Sequence, residues 1–273
     1  MRIVSGKYRG RAINPPKNLR ARPTTDFAKE NLFNVLGNLL DFEECDVLDL
    51  FAGTGSISYE FASRGARSVT AVEINAVHHD FIRRTAALLG IENFYPVKAN
   101  VFLYLKSCAK QFDVIFSDAP YDLEGSEQVV KLVLERGLLR PGGILAVQIP
   151  INQKEPIHQI IQALAAGEKW KAHFPSPRIF YQLTVSEYYD LLGEITDSFE
   201  LWETVYMHAM LSHDAIMEWY RGTGLRPYLA ALTPELQQEF EKDVLDGVKQ
   251  AYPVQKDGSV IFPFPRLFFL GER

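Results

Sequence analysis

What most constrains this chain is a rhythm that starts at residue 46: an apolar strand, a turn and a helix, repeated until residue 150. "DVLDLFAG" (46–53) reads as a strand and "SISYEFASRG" (56–65) as a helix stopped by Gly65. "SVTAVEI" (68–74) is the next strand, followed by a helix from Asn75 to Leu89 with Gly90 as its stop. "FYPVKA" (94–99), a helix near 101–109, "FDVIFSDAP" (112–120), a helix near 126–136 and "GGILAVQI" (142–149) carry the series on. Strands separated by helices of this length join through right-handed crossovers into a parallel sheet. The expected fold class is α/β, a doubly wound, mostly parallel sheet.

The texture changes after Pro150. Residues 151–197 are mixed and aromatic-rich, helical with a loop at "HFPSPR" (173–178), and "FELWETVYMH" (199–208) alternates as a strand does. "SHDAIMEWYRGTG" (212–224) predicts a helix capped by Ser212 and stopped at Gly222 or Gly224. "TPELQQEFEKDVLDGVKQAY" (233–252) predicts another, with Thr233 as N-cap and Pro234 at its first position. The run "SVIFPFPRLFFLGE" (259–272) predicts a closing strand whose prolines suit a sheet edge or a bulge. Three regions are expected: a basic arm over 1–30, a core over 31–150, and a part over 151–273 that completes the sheet and adds a helical cap over the substrate pocket.

Charge sharpens this division. The chain has 273 residues and a net charge of −5. Residues 1–25 hold Arg2, Lys7, Arg9, Arg11, Lys17, Arg20 and Arg22 and no acid, so the remainder carries −12. A basic arm on an acidic body fits a polyanion such as nucleic acid, and it also fits a plain solvated terminus. No run approaches the ~20 apolar residues of a membrane span, and no apolar signal core follows Met1. Cys45 and Cys108 have neither metal-ligand nor redox spacing, which fits a cytoplasmic protein with no metal and no disulfide framework.

The first strand runs into Gly53 and Gly55. A Gly-x-Gly turn between strand and helix lets backbone N–H groups approach a ligand where a Cβ would intrude. Twenty residues later Glu73 ends the second strand, where a carboxylate can accept both hydroxyls of a ribose. Together they point to a nucleoside ligand; the alternative is a tight turn beside a surface glutamate. The dinucleotide fingerprint places a third Gly or Ala where this chain has Ser58, which weighs against a nicotinamide dinucleotide.

"DLFAGTGSISYEFASRGA", the Val72-Glu73 pair and "FDVIFSDAPY" together resemble the class I S-adenosylmethionine-dependent methyltransferases, with their Rossmann-like fold. "SDAPYD" (117–122) resembles the Asp-Pro-Pro-Tyr signature of enzymes that methylate exocyclic amines of bases. The start, "MRIVSGKYRGRAINPP…RPTTDFAKENLFNVL", is similar to bacterial small-subunit ribosomal RNA guanine-N2 methyltransferases. The likeness implies S-adenosylmethionine as cofactor, held by Gly53, Gly55 and Glu73, with Asp49 and Phe51 lining the turn and Asn100 near the adenine. It places Thr24, within "RPTT" (22–25), beside the methionine end, and Arg22 with the substrate. Thr25 or Asp26 also fits a simple helix N-cap.

An exocyclic guanine amine is a poor nucleophile because the ring withdraws its lone pair. The Asp118 carboxylate and the Ala119 carbonyl can hold both amine hydrogens and direct that lone pair. Tyr121 can stack on a base flipped out of its helix. Asp118 and Tyr121 are thus the catalytic candidates, and Ala119 stands where the family has its first proline. Seven amino-terminal cations suit several phosphates of ribosomal RNA.

From about residue 143 the likeness changes. "GGILAVQIPINQKEPIHQ", "ELWETVYMHAMLSHDAIMEWYRGTGLRPYL", "YPVQKDG" and "FPRLF" resemble bacterial trans-aconitate methyltransferases, which esterify a small tricarboxylic acid. The chain therefore reads as a chimera of two families sharing one fold. Tyr206, His208 and Arg226 become candidates for carboxylate binding, as do His213 and Tyr228, with Arg226 able to pair bidentately. The histidines also fit packing or capping roles, and Trp219 fits a core position. Three functions stand open: a guanine-amine methyltransferase, a small-acid O-methyltransferase, and a catalytically silent chimeric fold or RNA-binding module.

Overall fold

The computed structural model describes residues 1–16, 24–120, 123–176 and 178–273. Helix α1 (Asp26–Leu39) precedes five strands that alternate with helices: β1 (Asp46–Leu50), α2 (Ser56–Ser63), β2 (Ser68–Glu73), α3 (Ala76–Leu89), β3 (Phe94–Lys98), α4 (Val101–Ser107), β4 (Phe112–Ser117), α5 (Gln128–Glu135) and β5 (Leu139–Pro150). Then come α6 (Pro156–Ala166), α7 (Val185–Gly193), β6 (Phe199–Met210), α8 (His213–Arg221), α9 (Arg226–Ala230), α10 (Pro234–Ala251) and β7 (Val260–Glu272). Helix starts follow the capping chemistry of the sequence. Thr25 accepts the Ala28 N–H, Ser212 the Ala215 N–H and Thr233 the Leu236 N–H.

The sheet has the order β3-β2-β1-β4-β5-β7-β6. β3 with β2, β2 with β1, β1 with β4 and β4 with β5 all pair in parallel. The chain works outward from β1 to β3, then returns to lay β4 on the other side of β1. Such a reversal opens a crevice at the carboxyl ends of the two central strands, where α/β sheets bind ligands. The register puts Asp49 opposite Phe116 and Leu50 opposite Ser117, so the ends of β1 and β4 finish level.

The proline-rich closing strand is not at an edge: β7 lies between β5 and β6. The Gly142 N–H meets the Arg273 carbonyl at 3.0 Å and the Ile151 N–H meets the Pro265 carbonyl at 3.1 Å, so β7 runs antiparallel to β5. Residues two apart in a strand turn their backbone groups to the same flank. The donors missing from Pro263 and Pro265 therefore fall on the β5 flank, at and beyond the point where β5 stops. An interior strand tolerates them because β5 has already ended opposite Pro263, and at Pro265 the carbonyl still accepts the Ile151 N–H.

Two compact units divide the chain. The first combines Met1–Ile149, Tyr181–Trp202 and Phe268–Arg273; the second combines Pro150–Phe180 and Glu203–Leu267. In the first, the amino terminus folds back with Arg2 bridged to Ala12, and Ile3 and Ile13 are buried. It lies on α2: a Cβ on Gly6 would come within 1.8 Å of the Ser63 carbonyl oxygen, and Ser63 Oγ accepts the Tyr8 N–H. Beneath it Lys29 is wholly buried and pairs with Glu60 and Asp26, each at 3.2 Å, while donating to the Arg2 carbonyl. The second unit is built differently, around aromatic side chains that include Trp170, Tyr220, Phe240 and Phe262.

Candidate active site

β1 ends by turning sharply through left-handed backbone. Phe51 has φ 58°, unusual for a residue with a side chain, and Gly53 and Gly55 have φ 58° and 77°. At Gly55 a Cβ would sit 2.8 Å from the ring of Tyr59, which is fully buried and stacked on Phe94. Only glycine fits, and the turn leaves the backbone free to approach a ligand. The Phe51 ring meets Phe102 edge-on at 6.3 Å, which sets a half-buried aromatic pair at the carboxyl edge of the sheet.

Glu73 does more than end β2. One carboxylate oxygen accepts the Gly53 N–H at 2.9 Å and the other accepts the Asn75 N–H at 2.7 Å. The acid thus ties the glycine turn to the start of α3, whose N-cap is Asn75. Each oxygen keeps a further lone pair for a donor such as a ribose hydroxyl. Asn100 follows β3 and caps α4 through Leu103.

Asp49, inside β1, is buried and accepts from the hydroxyl of Ser58. Burial pushes its carboxyl up to about 7; the bond from Ser58 acts against this, and the nearby charges of Asp118 and Glu73 add to it. Ser58 is the residue that departs from the dinucleotide fingerprint. Its hydroxyl has a specific partner, and no spacing rule pairs Ser58 with Asp49. Three carboxyl groups from β1, β2 and the end of β4 thus share one neighbourhood.

Asp118 and Ala119 follow β4, both half-buried. The Asp118 carboxylate accepts from Gln148 Nε2 at 3.2 Å. Ala119 and Pro120 border a small cavity lined also by Ser117, Val147, Ile149 and Tyr188. Thr24 is half-buried next to Thr25, which is the cap of α1. Arg22 and Tyr121 lie outside the described residues.

The carboxylate-binding candidates belong to the second unit. On β6, Tyr206 and His208 are half-buried with ring centroids 6.4 Å apart, and His208 packs 5.0 Å from Trp219. His213 Nε2 lies 2.7 Å from the Tyr252 carbonyl. Arg226 opens α9 and is exposed, whereas Tyr228 is buried against Phe240. The first unit therefore brings Asp49, Phe51, Gly53, Gly55, Glu73, Asn100, Asp118 and Ala119 to one edge of its sheet. The second holds Tyr206 and His208 in an aromatic cluster.

Comparison with known proteins bears on both parts. Residues 1–172 match the family described as Conserved hypothetical protein 95. A trans-aconitate 2-methyltransferase of Paracidovorax citrulli is 33% identical over 235 residues, 83% of this chain and 86% of that protein. The chain belongs to both families, as a class I S-adenosylmethionine-dependent methyltransferase. The second match is longer than everything after residue 142, so the two likenesses overlap along the parallel half instead of meeting at a sharp join. A trans-aconitate 2-methyltransferase of Escherichia coli (strain HS) is 40% identical over 185 residues, 67% of this chain and 66% of that protein. Among solved structures, the Escherichia coli protein yhhF, described as a candidate methyltransferase, has 29% identity and a TM-score of 0.50, covering 55% of this chain and 82% of its own. The YcgJ protein of Bacillus subtilis, at 15% identity and a TM-score of 0.58 over 89% of this chain and 98% of its own, shares the fold alone.

The methyltransferase's own residues fit its cofactor class. The cradle at Gly55 excludes a side chain, Glu73 has acceptor capacity left, and the acidic neighbourhood of Asp49, Glu73 and Asp118 suits a ligand bearing positive charge. Among the described residues no cluster of His, Cys, Asp and Glu is arranged to hold a metal ion, and no helix is long and apolar enough to cross a membrane.

Proposed function

We propose that this methyltransferase acts on an exocyclic amine of a guanine base in small-subunit ribosomal RNA. The observation that carries the reading is Asp118 at the end of β4, level with the glycine turn of β1 and held by Gln148. S-adenosylmethionine, when bound, supplies the methyl group on a positively charged sulfur. Gly53, Gly55 and Glu73 hold the nucleoside, Asp49 and Phe51 line the turn, and Asn100 and Thr24 stand at its two ends. Asp118 and the Ala119 carbonyl accept the two amine hydrogens, which turns the lone pair outward, and Asp118 takes the proton released as the new bond forms. The amino-terminal cations add a salt-sensitive attraction for phosphates.

A second reading, methylation of a small tricarboxylic acid, is favoured by the 33% identity to a trans-aconitate 2-methyltransferase over most of the chain. A carboxylate is already nucleophilic, so that reaction needs donors to orient it, with Arg226, Tyr206 and His208 as candidates. Labelled cofactor offered with unmodified small-subunit RNA and with trans-aconitate separates the two. On the first reading Asp118→Ala lowers transfer to RNA by about 100-fold or more while cofactor affinity stays within about twofold. On the second, Arg226→Ala is the damaging change and Asp118→Ala the mild one.

A further inference from the structure

β5 is buried from Ile144 to Pro150, and its side chains there are apolar except for one. Gln148 has no exposed surface. A carboxamide brings two N–H donors and an oxygen with two lone pairs, all of which lose water on burial. In this strand Nε2 donates to Asp118 and Oε1 has no partner. A methionine of similar length would fill the space without stranding an acceptor. What it cannot do is donate.

The alternation of the strand explains the arrangement. Val147 and Ile149 face the cavity beneath Ala119 and Pro120, while Gln148, on the opposite face, reaches Asp118. β5 thus buttresses both sides of the segment that follows β4. This matters more here because position 119 is alanine, which lacks the ring that would fix φ. An amide is also the right donor. It fixes the rotation of the carboxylate without cancelling its charge, whereas lysine or arginine in its place would neutralise the acceptor.

We propose that Gln148 is a positioning residue for methyl transfer, holding one oxygen of Asp118 so that the carboxylate meets the incoming amine in one orientation. The inference rests on the reading of Asp118 given above.

Two substitutions test it, with transfer to unmodified small-subunit RNA followed from pH 5.5 to 8.5, roughly the range in which a carboxyl pair and its neighbours titrate. Gln148→Met removes the donor and keeps the volume. Its kcat falls by about tenfold or more, while cofactor Kd stays within about twofold and Tm is unchanged or higher. Gln148→Glu restores a donor only while protonated. Asp118 faces it directly, and burial also disfavours its charge, so the glutamate keeps its proton at the acid end of the range. There its kcat approaches that of the wild type, and it falls by about tenfold as the proton leaves and two carboxylates repel. The wild type shows no such fall.

Gln148→Met with full kcat overturns the inference. So does Gln148→Met that loses Tm, cofactor binding and activity together while Gln148→Glu shows no rescue by acid, since that is the pattern of a packing residue. Asp118→Ala serves as the control. If it is as active as the wild type, the reading of Asp118 falls and takes Gln148 with it; if it is inactive while Gln148→Met is active, only the Gln148 inference falls. A wild-type protein that transfers no methyl to RNA sinks both.

Discussion

The two units bury opposite kinds of side chain. The first hides Lys29 and Glu60 on its helices and Asp49, Glu73 and Gln148 on its strands. The second is dry by comparison: rings pack on rings around Phe240 and Phe262, and among the described residues His158 is the one ionisable group other than tyrosine buried there. Buried polar groups are expensive unless they are paired or used, and aromatic packing is neither chemical nor electrostatically demanding. The difference teaches how each unit is held. Polar burial in the first unit occurs at both ends of the strands, at Asp46 and Ser68 as well as at Asp49 and Glu73, and under the amino-terminal segment.

The largest expected effects come from attacking each kind of core with its own weapon. Lys29→Ala leaves Glu60 buried with Arg64, 3.8 Å away, as its remaining cation and should destabilise the first unit by about 3 kcal/mol. Lys29→Met combined with Glu60→Leu should recover most of that loss, because an apolar pair replaces the ion pair. Phe240→Ala opens a cavity among Trp170, Phe174 and Tyr228 and should destabilise the second unit by about 3–5 kcal/mol. Calorimetry with two resolved transitions would assign each loss to its unit. A Lys29→Ala protein that melts like the wild type would break the contrast.

Next comes the glycine turn. Gly55→Ala forces a side chain into left-handed backbone and against the immobile Tyr59 ring, for a combined loss of about 2–4 kcal/mol in the first unit. Cofactor titration should show weakened binding even where the variant remains folded. Glu73→Ala is milder on folding and more specific, weakening S-adenosylmethionine by about 1–3 kcal/mol through lost charge-assisted bonds. Binding that is unchanged in Glu73→Ala would reduce that acid to a brace for the Gly53 and Asn75 amides.

The effects of pH are the sharpest, because they have opposite signs. Asp49 holds its proton more tightly folded than unfolded, with its carboxyl raised from 3.8 to about 7, chiefly by burial. Its contribution to stability is complete at acid pH and is lost as pH rises through that interval. His158 is lowered from 6.5 to about 4, by burial first and by Arg178 second. Its contribution is complete above 6.5 and is lost as pH falls toward 4. Melting curves across this range should show the first unit weakening as pH rises and the second as it falls. Asp49→Asn should flatten the first trend only, and His158→Phe, which suits the ring contacts with Phe180 and Tyr220, the second only.

Much of this was legible in the sequence, for reasons that are local. Strand–helix rhythm, N-caps such as Ser212 and Thr233, and the Gly53–Gly55 turn are written within a few residues, and the structure has them where they were expected. The carboxyl-edge candidates followed, since parallel strands deliver their ends to one place. Pairings across the sheet were not legible. Nothing near Ser58 announces Asp49 as its partner, and nothing near Gln148 announces Asp118, although one glutamine in an apolar run was a signal that went unread. β7 was misplaced because prolines were weighed without knowing which flank would lack a neighbour.

The position of β7 also governs the order of assembly. It follows β6 in the chain yet lies between β6 and β5, so β6 has no bed to lie on until its successor arrives. More than a hundred residues separate the end of β5 from the start of β7. Closing so long a loop adds little to the equilibrium cost, because that term grows only logarithmically, but pairing between distant segments slows the search. Until it is complete, β5 presents a bare row of amides and carbonyls, the kind of edge on which another chain pairs.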